Sequence, residues 1–317
     1  MSKLAFIFPG QGSQSIGMLA ELAESYSIIQ KTFSIASQAV GYDVWQLIQQ
    51  GPEERLNQTE ITQVAMLTAD VAIFNLLSSL EIKQPTWMAG HSLGEYAALV
   101  CADALNLEQA VKLVAKRGQL MQETVPLGRG VMAAVVGLTD EQVNQICADV
   151  STDKEQVSVA NYNSIGQVVI AGHRAAVEEA IIKADSQGAR MAKILAVSVP
   201  CHCSLLKDAA QAFEVYLNEV SFKSPSINVI SNVDLSVYKT PSQIRSLLKE
   251  QLFKPVRWVE IIQLLKREGV SQFVECGPGK VLSGLIKRID RDLVAFNTLD
   301  KNSIDYAVSQ IEAYKVN

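Results

Sequence analysis

The chain has 317 residues, enough for about two domains of roughly 150 residues with a buried core and a substrate cleft, which excludes a small scaffold held by disulfides or metal. Its 28 Lys and Arg against 33 Asp and Glu leave a net charge of −5, so there is no basic surplus to neutralise a phosphate backbone, and nucleic acid is not an expected partner. With 48% hydrophobic and only 19% charged residues, a charge on an apolar face stands out as a feature to explain.

In chain order, Lys3 to Phe8 reads as a strand whose apolar run, Leu4 to Phe8, is too short for the core of a signal peptide. Nowhere do about 18 uninterrupted apolar residues occur, so a soluble, cytoplasmic protein without a membrane partner is expected. The Pro9-Gly10-Gln11-Gly12 turn follows. After Thr59 the residues Val64, Leu67, Val71 and Phe74 share one helical face. Thr86 to Ala89 reads as a short buried strand, Gly90 to Gly94 as a sharp turn, Glu95 to Ala104 as a helix and Leu107 to Glu123 as another. Strands alternating with helices imply a parallel sheet covered on both faces.

After Gly128 and Gly130 the rhythm changes. A strand at Val131 to Val136 is followed by a capping box, Thr139 to Gln142, that opens a helix to about Asp149. Strands at Val157 to Asn161 and Gln167 to Ala171, a helix from Arg174 to Gln187 and a strand from Met191 to Val197 complete a βαββαβ, ferredoxin-like unit. Beyond it come a strand at Asn228 to Ser231, a helix opened by Thr240 to Gln243, a strand at Gln272 to Glu275 and a helix after Gly277-Pro278-Gly279, a turn with no evident chemistry. The expected architecture is a large, discontinuous α/β domain, α/β-hydrolase-like, over residues 1–127 and 198–317. A small ferredoxin-like α+β domain over 128–197 interrupts it.

Five scattered cysteines, an odd number, fit reduced thiols better than a disulfide framework. Cys201-His202-Cys203 resembles a metal cluster, but adjacent side chains diverge too far to grip one tetrahedral ion, so neither metal nor cofactor is expected. Any imidazole chemistry must use His91, His173 or His202.

Gly90-His91-Ser92-Leu93-Gly94 matches GxSxG between an apolar strand and a helix, the context of a nucleophile elbow. Ser92 would stand exposed at the helix N-terminus, with the Leu93 N–H ready for an oxyanion. The alternative is an ordinary strand-to-helix turn. Serine requires a base. His91 adjoins Ser92 and points elsewhere, and His173 opens a helix of the small domain near solvent. His202 lies in a loop at the exit from that domain and is the expected base, the alternative being a histidine packed at the domain junction.

Arg117 falls within the apolar stripe of Leu113, Val114, Leu120 and Met121, whereas Lys112, Lys116, Gln119 and Glu123 take the opposite face. A buried guanidinium must be paired or bind an anion. A structural pair with an acid and a substrate carboxylate held in bidentate fashion are both open, and a nearby serine nucleophile favours the second. The Pro9 to Gly12 turn fails the dinucleotide fingerprint at Ser15 and the phosphate loop at Met18. It is either a plain tight turn or the donor of a second oxyanion N–H, that of Gln11.

Phe8 to Ser13, Gly90 to Tyr96, Arg117-Gly118, Val199 to His202, Gln251 before Leu252 to Pro255 and Gly277 to Gly279 together resemble the malonyl-CoA:acyl carrier protein transacylases, in that family's order and across nearly the whole chain. Pro200-Cys201 before the histidine is like the free-standing bacterial enzymes. The resemblance implies malonyl transfer from malonyl-CoA to the phosphopantetheine thiol of acyl carrier protein in fatty acid synthesis, by a ping-pong route through malonyl-Ser92. It implies His202 as base, Arg117 on the malonyl carboxylate, Gln11 and Leu93 as oxyanion donors, and the Gln251 main-chain carbonyl as orienter of the imidazole. His91, Asn161 and Asn163 are weaker contact candidates. A serine esterase or thioesterase, and a silent carrier-binding subunit, are the rival readings. Lys266, Arg267, Lys280, Lys287 and Arg288 are candidate docking charges for a transient carrier partner, and a monomer is expected.

Overall fold

The computed structural model describes residues 3–126, 128–197 and 199–313. The chain opens with β1 (Lys3–Phe8), α1 (Ala20–Ser25), α2 (Ser27–Val40), α3 (Val44–Gln50), α4 (Glu53–Leu56) and α5 (Thr59–Ser79). It continues with β2 (Trp87–Gly90), α6 (Gly94–Cys101) and α7 (Leu107–Thr124), then β3 (Gly130–Val136), α8 (Asp140–Val150), β4 (Val157–Ser164), β5 (Gln167–His173), α9 (Arg174–Ser186) and β6 (Met191–Ile194). The final part comprises α10 (Lys207–Glu219), β7 (Asn228–Ile230), α11 (Pro241–Gln251), α12 (Trp258–Arg267), β8 (Val270–Glu275), α13 (Val281–Ile289), β9 (Val294–Asn297) and α14 (Lys301–Ala313).

A five-stranded parallel sheet runs in the order β7-β2-β1-β8-β9. Its central strand shows why an unbroken apolar run marks a parallel strand. Leu4, Phe6 and Phe8 enter one core, while Ala5 and Ile7 enter the core on the opposite face, so both sides of the strand are buried. Helix α5 is apolar and long enough to cross a membrane by composition alone, but 78% of its most apolar stretch is buried in the fold, as befits a core helix.

The second sheet is antiparallel, in the order β4-β5-β3-β6. Alternation again divides its residues. Val131, Ala133, Val168 and Ile170 pack with residues of α8 and α9, whereas Met132, Val169 and Ala171 turn to the other face, where they meet Cys203. That second face packs against Cys201, Cys203 and Leu205 of the segment that carries His202. Main-chain bonds tie the two parts together: Val256 N–H donates to Ala160 and Tyr162 N–H to Val256, both at 2.9 Å.

Several ends differ from expectation. The helix expected to reach Ala104 stops at Cys101, because Asp103 adopts a left-handed conformation (φ 59°) that ends the helical ladder. The strand expected to reach Val197 pairs with β3 only as far as Ile194. The hairpin strands run on to Ser164 and His173, with register shifts in β4 absorbing the irregularity. Thr139 and Gln142 form a complete capping box. At Thr240 the box is half made, since the Gln243 side chain accepts from Lys239 N–H instead. The chain enters the small sheet at Gly130 and leaves it at Ile194; the boundaries expected at 127/128 and 197/198 turn on Leu127 and Ser198, which lie outside the described residues.

Candidate active site

Ser92 stands between β2 and α6 in the left-handed region, with φ 52°. A non-glycine residue held there stores strain of about 1–3 kcal/mol, and its surroundings must enforce it. Two close approaches do so: a Cβ on Gly90 would lie 1.9 Å from the Gly94 carbonyl carbon, and one on Gly94 would lie 2.0 Å from the Phe8 carbonyl oxygen. Both positions therefore require glycine. Asn232, just past the C-terminal end of β7, clamps the turn by accepting from Ser92 N–H at 2.8 Å and donating its amide to the Gly90 carbonyl at 2.7 Å.

Ser92 Oγ is 2.7 Å from His202 Nε2. His202 Nδ1 is 2.7 Å from the main-chain carbonyl of Gln251. A carbonyl only accepts, so Nδ1 carries the proton, and the neutral ring turns a bare Nε2 to the serine hydroxyl. The ring is 2% exposed. Burial, and then the nearby Arg117 charge, lower its pKa from 6.5 to about 3, against the opposing hydrogen bond to Gln251. The imidazole is thus neutral and able to accept a proton at neutral pH. Of the other two histidines, His91 meets Asn163 Oδ1 at 2.8 Å, and His173 Nδ1 accepts from Gln156 N–H at 2.9 Å.

Arg117 is 2% exposed on the inner face of α7. Nη1 donates to Gln63 Oε1 and Nη2 to Gln251 Oε1, both at 2.9 Å, while Nε is buried without a hydrogen-bond partner. The guanidinium also lies over the Tyr96 ring at 5.5 Å. Its two partners are neutral amides, and among the described residues no carboxylate pairs with it directly. The guanidinium is therefore positioned and desolvated with its charge unneutralised by contact.

These groups meet in a cavity of about 180 Å³ between the two sheets, lined among others by Gln11, Ser92, Leu93, Arg117, Asn161 and His202. His91 and Asn163 line it too. Leu93, as N-cap of α6, presents an N–H that the helix itself leaves without an acceptor. A wider, open groove of about 630 Å³ on α2, α5 and α7 does not include Ser92. The Gly277 turn acquires a mechanical role. At φ 154° Gly277 lies against Pro9, where a Cβ would come within 2.6 Å of the proline ring, so the turn backs the loop that carries Gln11.

Cys201 and Cys203 flank His202 but turn to the carbonyls of Val199 and Pro200. Burial pushes their thiols up to about 11 and about 12. The candidate docking charges are exposed, but Lys266 pairs with Asp290, and Arg288 donates to Gln167 Oε1 at 2.7 Å.

Sequence reasoning missed four residues around this site: Gln63, Glu95, Asn232 and Tyr238. Glu95 Oε1 accepts from Asn232 N–H at 3.1 Å and Tyr238 Oη at 2.6 Å, and Glu95 Oε2 from Gln251 Nε2 at 2.5 Å. Glu95 had a legible signal: it is an acid on an otherwise apolar helix, in the turn after a candidate nucleophile. Asn232 had a weaker one, its place at the carboxyl end of a parallel strand, where α/β sheets bind ligands.

Comparison with known proteins extends the picture. Residues 5–297 match the acyl transferase domain family. The malonyl CoA-acyl carrier protein transacylase of Salmonella typhimurium is 47% identical over 310 residues, covering 98% of this chain and all of that protein. The solved structure of the malonyl CoA-acyl carrier protein transacylase from Coxiella burnetii superposes with a TM-score of 0.96 at 48% identity, covering 98% of each chain. A malonyl-transacylase solved in complex with a type II PKS acyl-carrier protein superposes equally well, with a TM-score of 0.96 at 47% identity, over 98% of this chain and all of that one.

Proposed function

The chain belongs to the malonyl-CoA:acyl carrier protein transacylases of the free-standing bacterial type, and on that premise we propose how its residues divide the work. The enzyme transfers the malonyl group of malonyl-CoA to the phosphopantetheine thiol of acyl carrier protein, a step of fatty acid synthesis. Ser92 attacks the thioester carbonyl while His202 Nε2 takes its proton. The N–H groups of Gln11 and Leu93 hold the oxyanion, and coenzyme A leaves as His202 returns the proton to its sulfur. The carrier thiol then enters the same cleft and reverses these steps.

The observation that carries this reading is the 2.7 Å contact of Ser92 with His202 in a cavity that also holds Arg117, a guanidinium hydrogen-bonded to two neutral amides. The malonyl carboxylate supplies the missing anion. It also offsets the Arg117 charge that depresses His202, so the base strengthens when the correct acyl group is present. A carbonyl serves as orienter in place of a carboxylate, so the machinery is a Ser-His dyad.

His91, Asn161 and Asn163 form the wall of the cleft toward the small domain and contact the acyl or pantetheine chain. Five free cysteines, four of them buried, support a reducing, cytoplasmic setting. Mass spectrometry after mixing with malonyl-CoA tests the reading: wild type gains one malonyl group on Ser92, and Ser92→Ala gains none. A wild-type protein that remains unlabelled refutes it.

A further inference from the structure

Gln251 stands at a junction. Its main-chain carbonyl holds His202, its side-chain oxygen holds Arg117, and its side-chain nitrogen donates to Glu95. Glu95 is fully buried, and Arg117 is separated from it by this one amide. A buried cation and a buried anion so placed stabilise each other without contact. We infer that Glu95 is the standby counter-charge of Arg117, relayed by Gln251, and that it gives up this role by taking a proton from solvent when an acyl group carrying a carboxylate occupies Arg117.

The surroundings of Glu95 support this. Tyr238 Oη and Asn232 N–H donate to one oxygen and Gln251 to the other, so the anion is well solvated by the protein. Arg117 on α7 is the cation that faces it, and Tyr96, its neighbour on α6, and Tyr238 are neutral phenols raised by burial. Helix α5, also packed on α6, turns its buried acid Asp70 toward Gly277 and Cys101 instead. Burial raises the carboxyl to about 7, against the lowering effects of its donors and of Arg117. A second negative charge at Arg117 cancels that help and drives protonation. Glu95 acts through Gln251 and is a positioning residue.

The inference rests on the reading of Arg117 as the carboxylate site. Loading itself is proton-neutral: the bond from the acyl carbon to sulfur breaks, the bond to Ser92 Oγ forms, and the serine proton passes through His202 to the departing thiol. A free thiol, with a pKa of about 8.5, keeps that proton near neutral pH. The coenzyme's other ionisable groups are in solvent both before loading, as the thioester, and after it, as free coenzyme A, so they titrate alike. Net uptake therefore belongs to the protein.

The test mixes enzyme with malonyl-CoA in weakly buffered indicator dye without carrier protein, and Ser92 occupancy is measured by mass in the same samples. With a carboxyl titrating at about 7 in the free enzyme, loading at pH 7 takes up about half a proton per malonyl group. None is taken up at pH 5.5, where Glu95 is already protonated, or at pH 7 in Glu95→Gln. Occupancy without uptake at pH 7, or equal uptake in Glu95→Gln, overturns the inference alone; absence of occupancy in wild type overturns the functional reading with it. Should Glu95→Gln fail to fold or load, infrared difference spectra of wild type with ¹³C-labelled glutamate decide. A protonated carboxyl band appearing on loading at pH 7.5 supports the inference, and its absence overturns it.

Discussion

His202 and Gln251 are joined through the backbone of one and the ring of the other: Nδ1–H of His202 donates to the Gln251 main-chain carbonyl at 2.7 Å, whatever the Gln251 side chain does. The same residue's amide binds Arg117, Glu95 and, at 2.9 Å, the main-chain carbonyl of Ser92. Base orientation and carboxylate recognition are therefore separable at a single position.

Gln251→Ala keeps the carbonyl and removes the amide. Losing a hydrogen bond to a charged group costs about 1.5–3 kcal/mol, so kcat/KM for malonyl-CoA should fall by about 10- to 100-fold. The reactivity of Ser92 toward a small neutral acylating reagent should fall less, since only the amide's bond to the Ser92 carbonyl bears on it. Equal losses toward both substrates would refute the separation.

Arg117→Ala should abolish malonyl loading and leave or improve loading of a neutral acyl thioester, as read by acyl-enzyme mass. Because Arg117 lowers the His202 pKa, its removal should also raise the pH at which His202 titrates, followed by ¹⁵N chemical shifts of the imidazole. Undiminished malonyl loading would sink the role given to Arg117.

Two glycines provide a packing test. Gly94→Ala places a Cβ 2.0 Å from the Phe8 carbonyl oxygen and should cost several kcal/mol or prevent folding. Gly284→Ala in α13 meets nothing within 4 Å and should stabilise the protein by about 0.5–1 kcal/mol. Thermal unfolding of the two variants separates close approach from mere helix propensity.

Asp70 is buried, and neither of its oxygens has a hydrogen-bond partner. Burial, with the charge of Glu275 adding to it, raises its carboxyl well above the usual 3.8. The folded state thus holds a proton that the unfolded chain releases above pH 4. The contribution of Asp70 is fully present below that pH and is lost as pH rises toward the raised value, at about 1.4 kcal/mol per pH unit. Asp70→Ala should flatten the fall in Tm between pH 5 and 8. An unchanged slope would show that Asp70 is not the group responsible.

The unbroken apolar run of β1, the capping box at Thr139 and the amphipathic face of α7 place elements to within a few residues, because each depends on neighbours along the chain. Strand ends were less legible. Whether β6 stops at Ile194 depends on where its partner β3 stops pairing with it, which no local pattern records. At the elbow, the small residues at Gly90 and Gly94 are visible in sequence, whereas the clamp from Asn232 comes from 140 residues away.

By itself the sequence determined the alternation of layers, the strained turn at Ser92 and the presence of one arginine on an apolar stripe, since turn sterics and burial periodicity are local. Only the tertiary structure decided which groups complete them. His202 is 110 positions from Ser92, and Gln251 is 156 from Glu95, yet each pair lies within hydrogen-bond distance. Crossover connections in a parallel sheet bring distant strand ends to the same edge, and there desolvation makes every buried charge depend on partners that no spacing in the chain announces.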